Sequence, residues 1–191
     1  GLGDVYKRQG LEYDYFGGDL ALSDNQLAIG ATGEDTDGLN AGSVYAFDWA
    51  QDQWIQNEKI TGGKGSPHAR AGSDISHSGD RILFGGPGQD RGVLTHAGAA
   101  YIFHHDGSRW LAEKKLLASD PSQGDYFGSA VLLHDNWAFV GAFGDDHASL
   151  FDAGSVYWFE NVDGQWMPNG KIIAGDRFSE DNFGRAIALI G

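Results

Sequence analysis

The stretch "YFGGDLALSDNQLAIGA", residues 15–31, is matched further along the chain by "YFGSAVLLHDNWAFVGA", residues 126–142. Both stretches open on a Phe-Gly pair, continue through two short apolar runs separated by a polar turn, and close on Gly-Ala. A pattern that recurs in this way is typical of a structural module rather than of a catalytic motif. The period of the repeat should therefore define the fold.

Several further markers keep a common interval of 56 residues. They are three tryptophans, three lysines, and three glycines inside the segments "AGSVYAF", "AGAAYIF" and "AGSVYWF". A period of this length is typical of a propeller or a solenoid array. The markers are Trp54, Trp110 and Trp166; Lys59, Lys115 and Lys171; and Gly42, Gly98 and Gly154.

Within one period the pattern predicts four short strands and no helix. In "GSVYAFDW", residues 42–49, Val44 and Ala46 alternate with larger aromatic residues, as expected of a strand. The connections Asp106-Gly107 and Asp163-Gly164 are of the kind favoured in tight hairpins where both turn residues need a positive φ. Four-stranded antiparallel sheets in tandem are the blades of a propeller, so we predict an all-β, β-propeller fold.

The register divides the chain into three blades and part of a fourth. We predict blade 1 at residues 10–66, blade 2 at 67–122, blade 3 at 123–178, and the first strand of a fourth blade at 179–191. Residues 1–9, "GLGDVYKRQ", match no blade position and resemble the adapter sequence of metagenomic reading frames, so we expect an unstructured tail there. Three blades and one strand cannot close a ring, and we expect a fragment that forms an open arc.

The recurring glycines and aromatic residues are predicted to be packing devices. Glycine at a strand start allows close backbone approach, and the preceding Phe can fill the wedge between neighbouring blades. Gly-Ala should serve where the second strand bends into its loop, and each marker Trp should pack over its own blade. Besides the markers given above, the predicted structural repeat residues are Phe16, Gly17, Gly30, Gly72, Gly85, Phe127, Gly128, Gly141, Phe183 and Gly184.

The combination of Phe-Gly, Gly-Ala, "AGSVYxF" and "W…K" resembles FG-GAP repeats, and the resemblance covers residues 10–191. That family includes the propeller of integrin alpha chains and many bacterial surface proteins. The resemblance implies a seven-bladed propeller, of which this chain would be roughly half. It also implies an extracellular or cell-surface protein that recognises a protein or a glycan and is monomeric at full length.

Calcium is not carried over from the family, because its Asp-rich loop is missing. Between the first and second strands the chain has only "SDNQ", "HSGDR" and "HDNW", which are too short to supply the oxygen ligands. The loops after Gly-Ala are acidic instead, and one of them has partial cation-loop spacing without the distal Glu. Weak metal candidates are therefore Asp35, Asp37 and Asn40, together with Asp145, Asp146 and Asp152. Ordinary turn chemistry is the favoured alternative, and no cofactor is predicted.

Composition and charge exclude several classes of function. The formal net charge of −14 has the wrong sign for binding nucleic acid through its phosphates. The absence of cysteine excludes disulfide scaffolds and thiolate zinc sites. No apolar run approaches the length of a membrane-spanning helix.

Signals for catalysis are weak. None of the common hydrolase, zinc-protease or phosphate-loop motifs is present. The inner-strand positions, where a propeller glycosidase would carry its acids, are assigned Ser, Gly, Ala and aliphatic residues. We therefore predict a non-catalytic recognition module that binds through an acidic loop face. The alternative is the propeller domain of a secreted carbohydrate-active enzyme, a lyase or hydrolase, with its site at the axis.

Overall fold

The computed structural model describes residues 13–63 and 67–189. The predicted tail, residues 1–9, lies outside the described residues. Those that are described form twelve β-strands and no helix. The all-β prediction is confirmed.

The strands form three antiparallel sheets, which we call blades 1, 2 and 3, and each sheet has its strands in chain order. Blade 1 consists of β1 (Phe16–Ser23), β2 (Gln26–Ala31), β3 (Ser43–Ala50) and β4 (Gln53–Thr61). Blade 2 consists of β5 (Ile75–Ser78), β6 (Arg81–Gly86), β7 (Ala99–His105) and β8 (Trp110–Leu116). Blade 3 consists of β9 (Ala130–His134), β10 (Trp137–Ala142), β11 (Ser155–Val162) and β12 (Gln165–Ile172).

The hairpins between the third and fourth strands are of two kinds. In blade 3, Asp163 and Gly164 both have a positive φ, of 51° and 81°, as the sequence predicts for this pair. In blade 2 only Gly107 does, at 96°, so the prediction that both residues need a positive φ is wrong there. The Asp106 carboxylate instead accepts hydrogen bonds from the N–H groups of Ser108 (2.8 Å) and Arg109 (3.0 Å), which supports a longer turn.

A β-bulge recurs in the fourth strand of every blade. The bulged residues are Asn57, Glu113 and Asn169, which keep the 56-residue interval. The Asn57 side chain donates to Asp48 Oδ2 at 2.6 Å, and the Asn169 side chain donates to Glu160 Oε2 at 2.8 Å. Each of these bonds joins the bulge to the third strand. The bulge is therefore part of the repeat, although the sequence pattern did not reveal it.

The apolar cores lie between blades. One cluster joins blades 1 and 2 and includes Val44, Ile82 and Phe84. A second joins blades 2 and 3 and includes Leu83, Leu116 and Phe127. Phe127 is fully buried, which agrees with the predicted wedge role of the aromatic residue before glycine.

The marker tryptophans do not pack over their own blades alone, so that prediction is corrected. They occupy equivalent register positions, opposite Trp49, His105 and Asn161 of the third strand. Trp110 and Trp166 nevertheless lie in the clusters between blades, because the start of the fourth strand faces the preceding blade. Trp54 has no preceding blade among the described residues and is 39% exposed.

Two recurring glycines meet at each boundary between blades. A Cβ atom built on Gly30 would lie 2.1 Å from the carbonyl oxygen of Gly72, and one on Gly85 would lie 1.8 Å from that of Gly128. Gly141 and Gly184 repeat the arrangement at 1.9 Å. The glycine of Gly-Ala is therefore required by the approach of the next Phe-Gly pair. A bend into the loop, which the sequence suggested, is not the main reason.

Residues 179–189 do not form the predicted first strand of a fourth blade. Phe183 makes a single parallel bridge with Gly154, and its N–H donates to Ala153 O at 3.1 Å. The chain then continues to residue 189 without a strand. In each complete blade the first strand pairs with the second strand of its own blade, and the described residues offer no such partner here.

The two end blades each have an uncovered apolar face within the described part of the chain. Phe16 is 51% exposed, whereas the equivalent Phe127 is 0% exposed. Leu20 and Leu22 on β1 are likewise exposed, and blade 3 exposes Met167 and Ile172. Blade 2 lies between its neighbours, so the described residues form an open arc.

Matched substitutions of the two phenylalanines test this asymmetry. Phe127→Ala should lower the free energy of unfolding by about 3–5 kcal/mol, because it leaves a cavity in the cluster between blades 2 and 3. Phe16→Ala should cost under about 1 kcal/mol, because much of its ring already contacts solvent. Urea unfolding of both variants measures the difference, and equal losses would show that the two positions are not packed differently.

The glycine contacts give a second test. Gly85→Ala should lower the free energy of unfolding by about 1–3 kcal/mol or more, because the new methyl group meets the Gly128 backbone. Gly175→Ala is the control, since a Cβ there has nothing within 4 Å. Thermal unfolding of the two variants against wild type gives the comparison. A Gly85 variant as stable as the Gly175 variant would contradict the close approach.

Candidate functional site

One end of the blades gathers the loops between second and third strands and the linkers between blades. The linker before blade 2 bonds the loop of blade 1 through His68 N and Leu39 O, at 2.7 Å. Gly124 N and Thr95 O repeat this contact at 3.0 Å between blade 3 and blade 2. We call this end the loop face; it comprises the loops 32–42, 87–98 and 143–154 and the linkers that end at residues 71, 127 and 183.

A carboxylate shapes each loop by bonding its own backbone. Asp35 Oδ1 accepts from Asn40 N at 2.7 Å, and Asp146 Oδ1 accepts from Asp152 N at 2.9 Å. In blade 2, Asp90 Oδ1 accepts from His96 N at 2.9 Å. The three residues that donate have positive φ angles of 50–53°. Four of the metal candidates therefore take part in hydrogen bonds that stabilise turns, which is the alternative to metal binding that the sequence favours. They are Asp35, Asn40, Asp146 and Asp152.

The preceding position in each loop carries a buried polar side chain. Glu34, Gln89 and Asp145 are equivalent, because the carbonyl of each accepts a hydrogen bond from the glycine that precedes the third strand, at 2.8–2.9 Å. Beside each of them a lysine lies over a tyrosine ring. The pairs are Lys59 on Tyr45, Lys115 on Tyr101 and Lys171 on Tyr157, with the ammonium nitrogen 5.6, 5.2 and 5.0 Å from the ring centroid. The recurring lysine is therefore a cation–π partner of the recurring tyrosine.

In blades 1 and 3 this lysine is neutralised by carboxylates. Lys59 forms an ion pair with Glu34. Lys171 bonds Asp145 Oδ2 at 2.6 Å and Asp120 Oδ2 at 2.9 Å. Burial alone would raise the pKa of Glu34, but its hydrogen bonds from Lys59 and Thr36 outweigh burial and lower that pKa. The lysine and its carboxylate thus fix the loop to the outer strand of the same blade.

Asp125 is a further buried carboxyl next to the blade 3 ion pair. Its Oδ2 accepts from Ser122 N at 2.6 Å, while Oδ1 has no hydrogen-bond partner. Burial raises the pKa of Asp125 to about 6, and the charge of Asp145 adds to this effect. Close by, the Tyr157 hydroxyl donates to Asp120 Oδ1 at 2.7 Å. Blade 3 therefore concentrates titratable groups at its junction with blade 2.

The remaining metal candidates are not brought together. Asp37 is half-buried with an unpartnered Oδ2, and Asp145 is committed to Lys171 and to the Ser155 hydroxyl. Across residues 13–63 and 67–189, no group of three or more histidines and carboxylates is arranged to hold a metal ion. The prediction that no cofactor is needed stays a prediction.

The loop face also carries exposed apolar side chains. Val93 is 90% exposed, and Leu39, Phe151 and Phe178 are exposed on the loops and linker around it. On the same face, the Tyr126 ring stacks against His96 and Phe143, with ring centroids 5.5 and 5.0 Å apart. The sequence analysis considered this face only for its charge and did not identify these apolar tips. The sequence feature that could have identified them is an aliphatic or aromatic residue within each otherwise polar loop.

Two carboxyls on the inner strands were also missed. Asp19 Oδ2 accepts from Ile75 N at 2.6 Å, and Asp74 Oδ2 accepts from Val131 N at 2.5 Å. The sequence analysis predicts only small and aliphatic residues on the inner strands, which is wrong for blades 1 and 2. Burial raises the pKa of Asp74 to about 6, and its proximity to Asp19 adds to this. Their contacts bond each inner strand to that of the next blade.

Tandem four-stranded antiparallel sheets, held by glycine contacts at a fixed period, define a repeat protein of the β-propeller type. The FG-GAP repeat family model matches residues 8–47, 54–103 and 110–159, and the chain belongs to that family. It is also similar to human integrin alpha-11, with 28% identity over 134 residues. That match covers 61% of this chain and 11% of integrin alpha-11.

No helix long and apolar enough to cross a membrane occurs in the part of the chain that the structure describes.

The raised pKa of Asp125 predicts a pH-dependent stability. A carboxyl whose pKa is higher in the folded state than its ordinary value of 3.8 holds its proton more tightly when folded. Stability from this group is present at low pH and is lost as the pH rises through about 6. Asp125→Asn keeps an acceptor for Ser122 N, so relative to wild type it should gain stability between pH 4 and pH 8. Unfolding at a series of pH values tests this, and a constant difference between the two proteins would contradict it.

Proposed function

We propose that this chain is a non-catalytic recognition module of an extracellular or cell-surface protein, and that it binds a protein partner through the loop face. The observation that supports this most directly is the set of exposed apolar tips on that face, Leu39, Val93 and Phe151. Such side chains, surrounded by polar groups, are typical of interaction sites. Similarity to integrin alpha-11 supports the extracellular or cell-surface location.

The charge of the chain favours a partner with a basic surface. The net charge is −14, and the loops contribute solvent-accessible carboxylates such as Asp35, Asp146 and Asp152. Complementary charge accelerates association and makes it sensitive to salt. The apolar tips would then supply the contacts that exclude water at the centre of the interface.

The alternative of a carbohydrate-active enzyme is favoured by one observation, the pair Asp19 and Asp74 on the inner strands. A carboxyl with a pKa near 6 suits a general acid. Against this, the Oδ2 atom of each already accepts a backbone hydrogen bond from the next blade. Their contacts give them a structural role, and we favour recognition.

A phage-displayed random peptide library, panned against the immobilised chain, tests the proposal. Enriched peptides should be basic and apolar, and the triple substitution Leu39→Ser, Val93→Ser and Phe151→Ser should weaken their binding at least about tenfold, as expected for contact residues at an interface centre. Val162→Ser, which removes an exposed apolar side chain from a strand hairpin, is the matched control.

Two outcomes would overturn recognition through the loop face. One is a library that yields no enriched peptide, or only peptides that bind the triple variant as well as wild type. The other is turnover of pectin, alginate or hyaluronan, measured as new reducing ends or unsaturated products, that is lost in Asp74→Asn.

A further inference from the structure

Blade 2 departs from its neighbours at the position that neutralises the recurring lysine. Glu34 and Asp145 supply a carboxylate to Lys59 and Lys171, whereas the equivalent residue in blade 2 is Gln89. The Gln89 amide is neutral, and both of its polar atoms are occupied. Its Oε1 accepts from the Tyr101 hydroxyl at 2.9 Å, and its Nε2 donates to Asp90 O at 2.9 Å.

Lys115 therefore has no ion pair among the described residues. Its ammonium group lies 5.2 Å from the centroid of the Tyr101 ring, and no carboxylate among the described residues forms a salt bridge with it. Burial lowers the pKa of Lys115, and the nearby positive charge of Arg91 adds to the effect. The geometry agrees, because Lys115 lies over the Tyr101 ring and the Tyr101 hydroxyl bonds Gln89, two residues before Arg91. In blades 1 and 3 the equivalent lysine is beside a carboxylate instead.

The Arg91 guanidinium makes one hydrogen bond, to a backbone carbonyl. Its Nη1 donates to Ala118 O at 3.1 Å, just beyond the end of β8, and the rest of the guanidinium is unpaired among the residues described. Asp90, next to Arg91 in the chain, and Asp120, two residues beyond Ala118, bond other groups. Asp90 Oδ1 accepts from His96 N, and Asp120 bonds Lys171 and Tyr157.

We infer that Lys115 and Arg91 form an oxyanion-binding subsite on the loop face, which takes an isolated carboxylate group of the protein partner. A guanidinium with free N–H groups matches a carboxylate in geometry, and the ammonium group adds a second positive charge. The buried Tyr101 ring lies below Lys115 and holds its ammonium group through the cation–π contact. The surrounding loop carboxylates disfavour polyanions, so a single acidic side chain within a basic surface fits best.

The subsite adds to the proposed function one chemical group, a carboxylate, that the protein partner would present. It rests on the proposed function only in assuming that the ligand is a protein. Val93 lies two residues from Arg91 and is almost fully exposed. An acidic residue next to an apolar residue in the partner would therefore contact both.

Acetate and the neutral acetamide serve as matched probes in an NMR titration at constant ionic strength. Acetate should shift the side-chain signals of Arg91 and Lys115, and acetamide should not. Gln89→Glu restores the carboxylate that blade 1 carries, and it should weaken acetate binding at least about tenfold, the scale of one charge-assisted hydrogen bond. Gln53→Glu, an exposed substitution with the same change of net charge, should leave binding within about twofold.

A second pair of variants separates the subsite from a general charge effect. Lys115→Gln should abolish the acetate-induced shift of Arg91. Lys114→Gln removes the adjacent lysine, which makes no cation–π contact with Tyr101, and should preserve the shift. Equal effects of the two lysine variants, or of the two glutamate variants, would overturn the subsite. Because acetate binding is measured without the partner, failure here leaves the peptide-library result standing, and failure of that result leaves the subsite standing.

Discussion

The approach of one glycine backbone to another across each blade boundary is the constraint on which the rest of the structure depends. The glycine that ends the second strand lies against the glycine of the next Phe-Gly pair, so closely that neither position has room for a side chain. This contact brings the next inner strand against the blade. The Phe ring is then buried between the two sheets, as Phe127 shows. The spacing of the apolar clusters and the position of the loop face both follow from it.

Much of this architecture could be predicted from the sequence, because the residues that determine it recur. The Phe-Gly pair and the recurring glycine, tryptophan and lysine share one period. That period predicts the strands, their order within each sheet and the buried Phe127. The first strand of a fourth blade was predicted wrongly for a physical reason. A strand needs a partner, and residues 183–189 find only the bridge to Gly154 among the described residues.

The candidate site was harder to predict, because its important features are differences between blades. Composition showed an acidic chain but not that Glu34 and Asp145 are paired with lysines while Gln89 is not. The fully paired lysine of blade 3 and the unpaired one of blade 2 occupy the same place in the repeat. Only the contacts of each copy distinguish a side chain that holds the loop from one that is free to bind a ligand. The apolar tips were missed for a similar reason, since exposure cannot be read from residue type.

The clusters between blades also govern how the molecule loses its structure. Blade 2 contributes to both clusters, whereas blades 1 and 3 each contribute to one. In an array stabilised by nearest-neighbour contacts, opening begins at the units with fewest neighbours and proceeds inward. The amide protons of β6 and β7 should therefore exchange last with solvent. Arg91 in the loop of blade 2 and Lys115 on β8 both belong to the blade that opens last. A ligand bound there would therefore contact a surface that keeps its shape even while the end blades fluctuate.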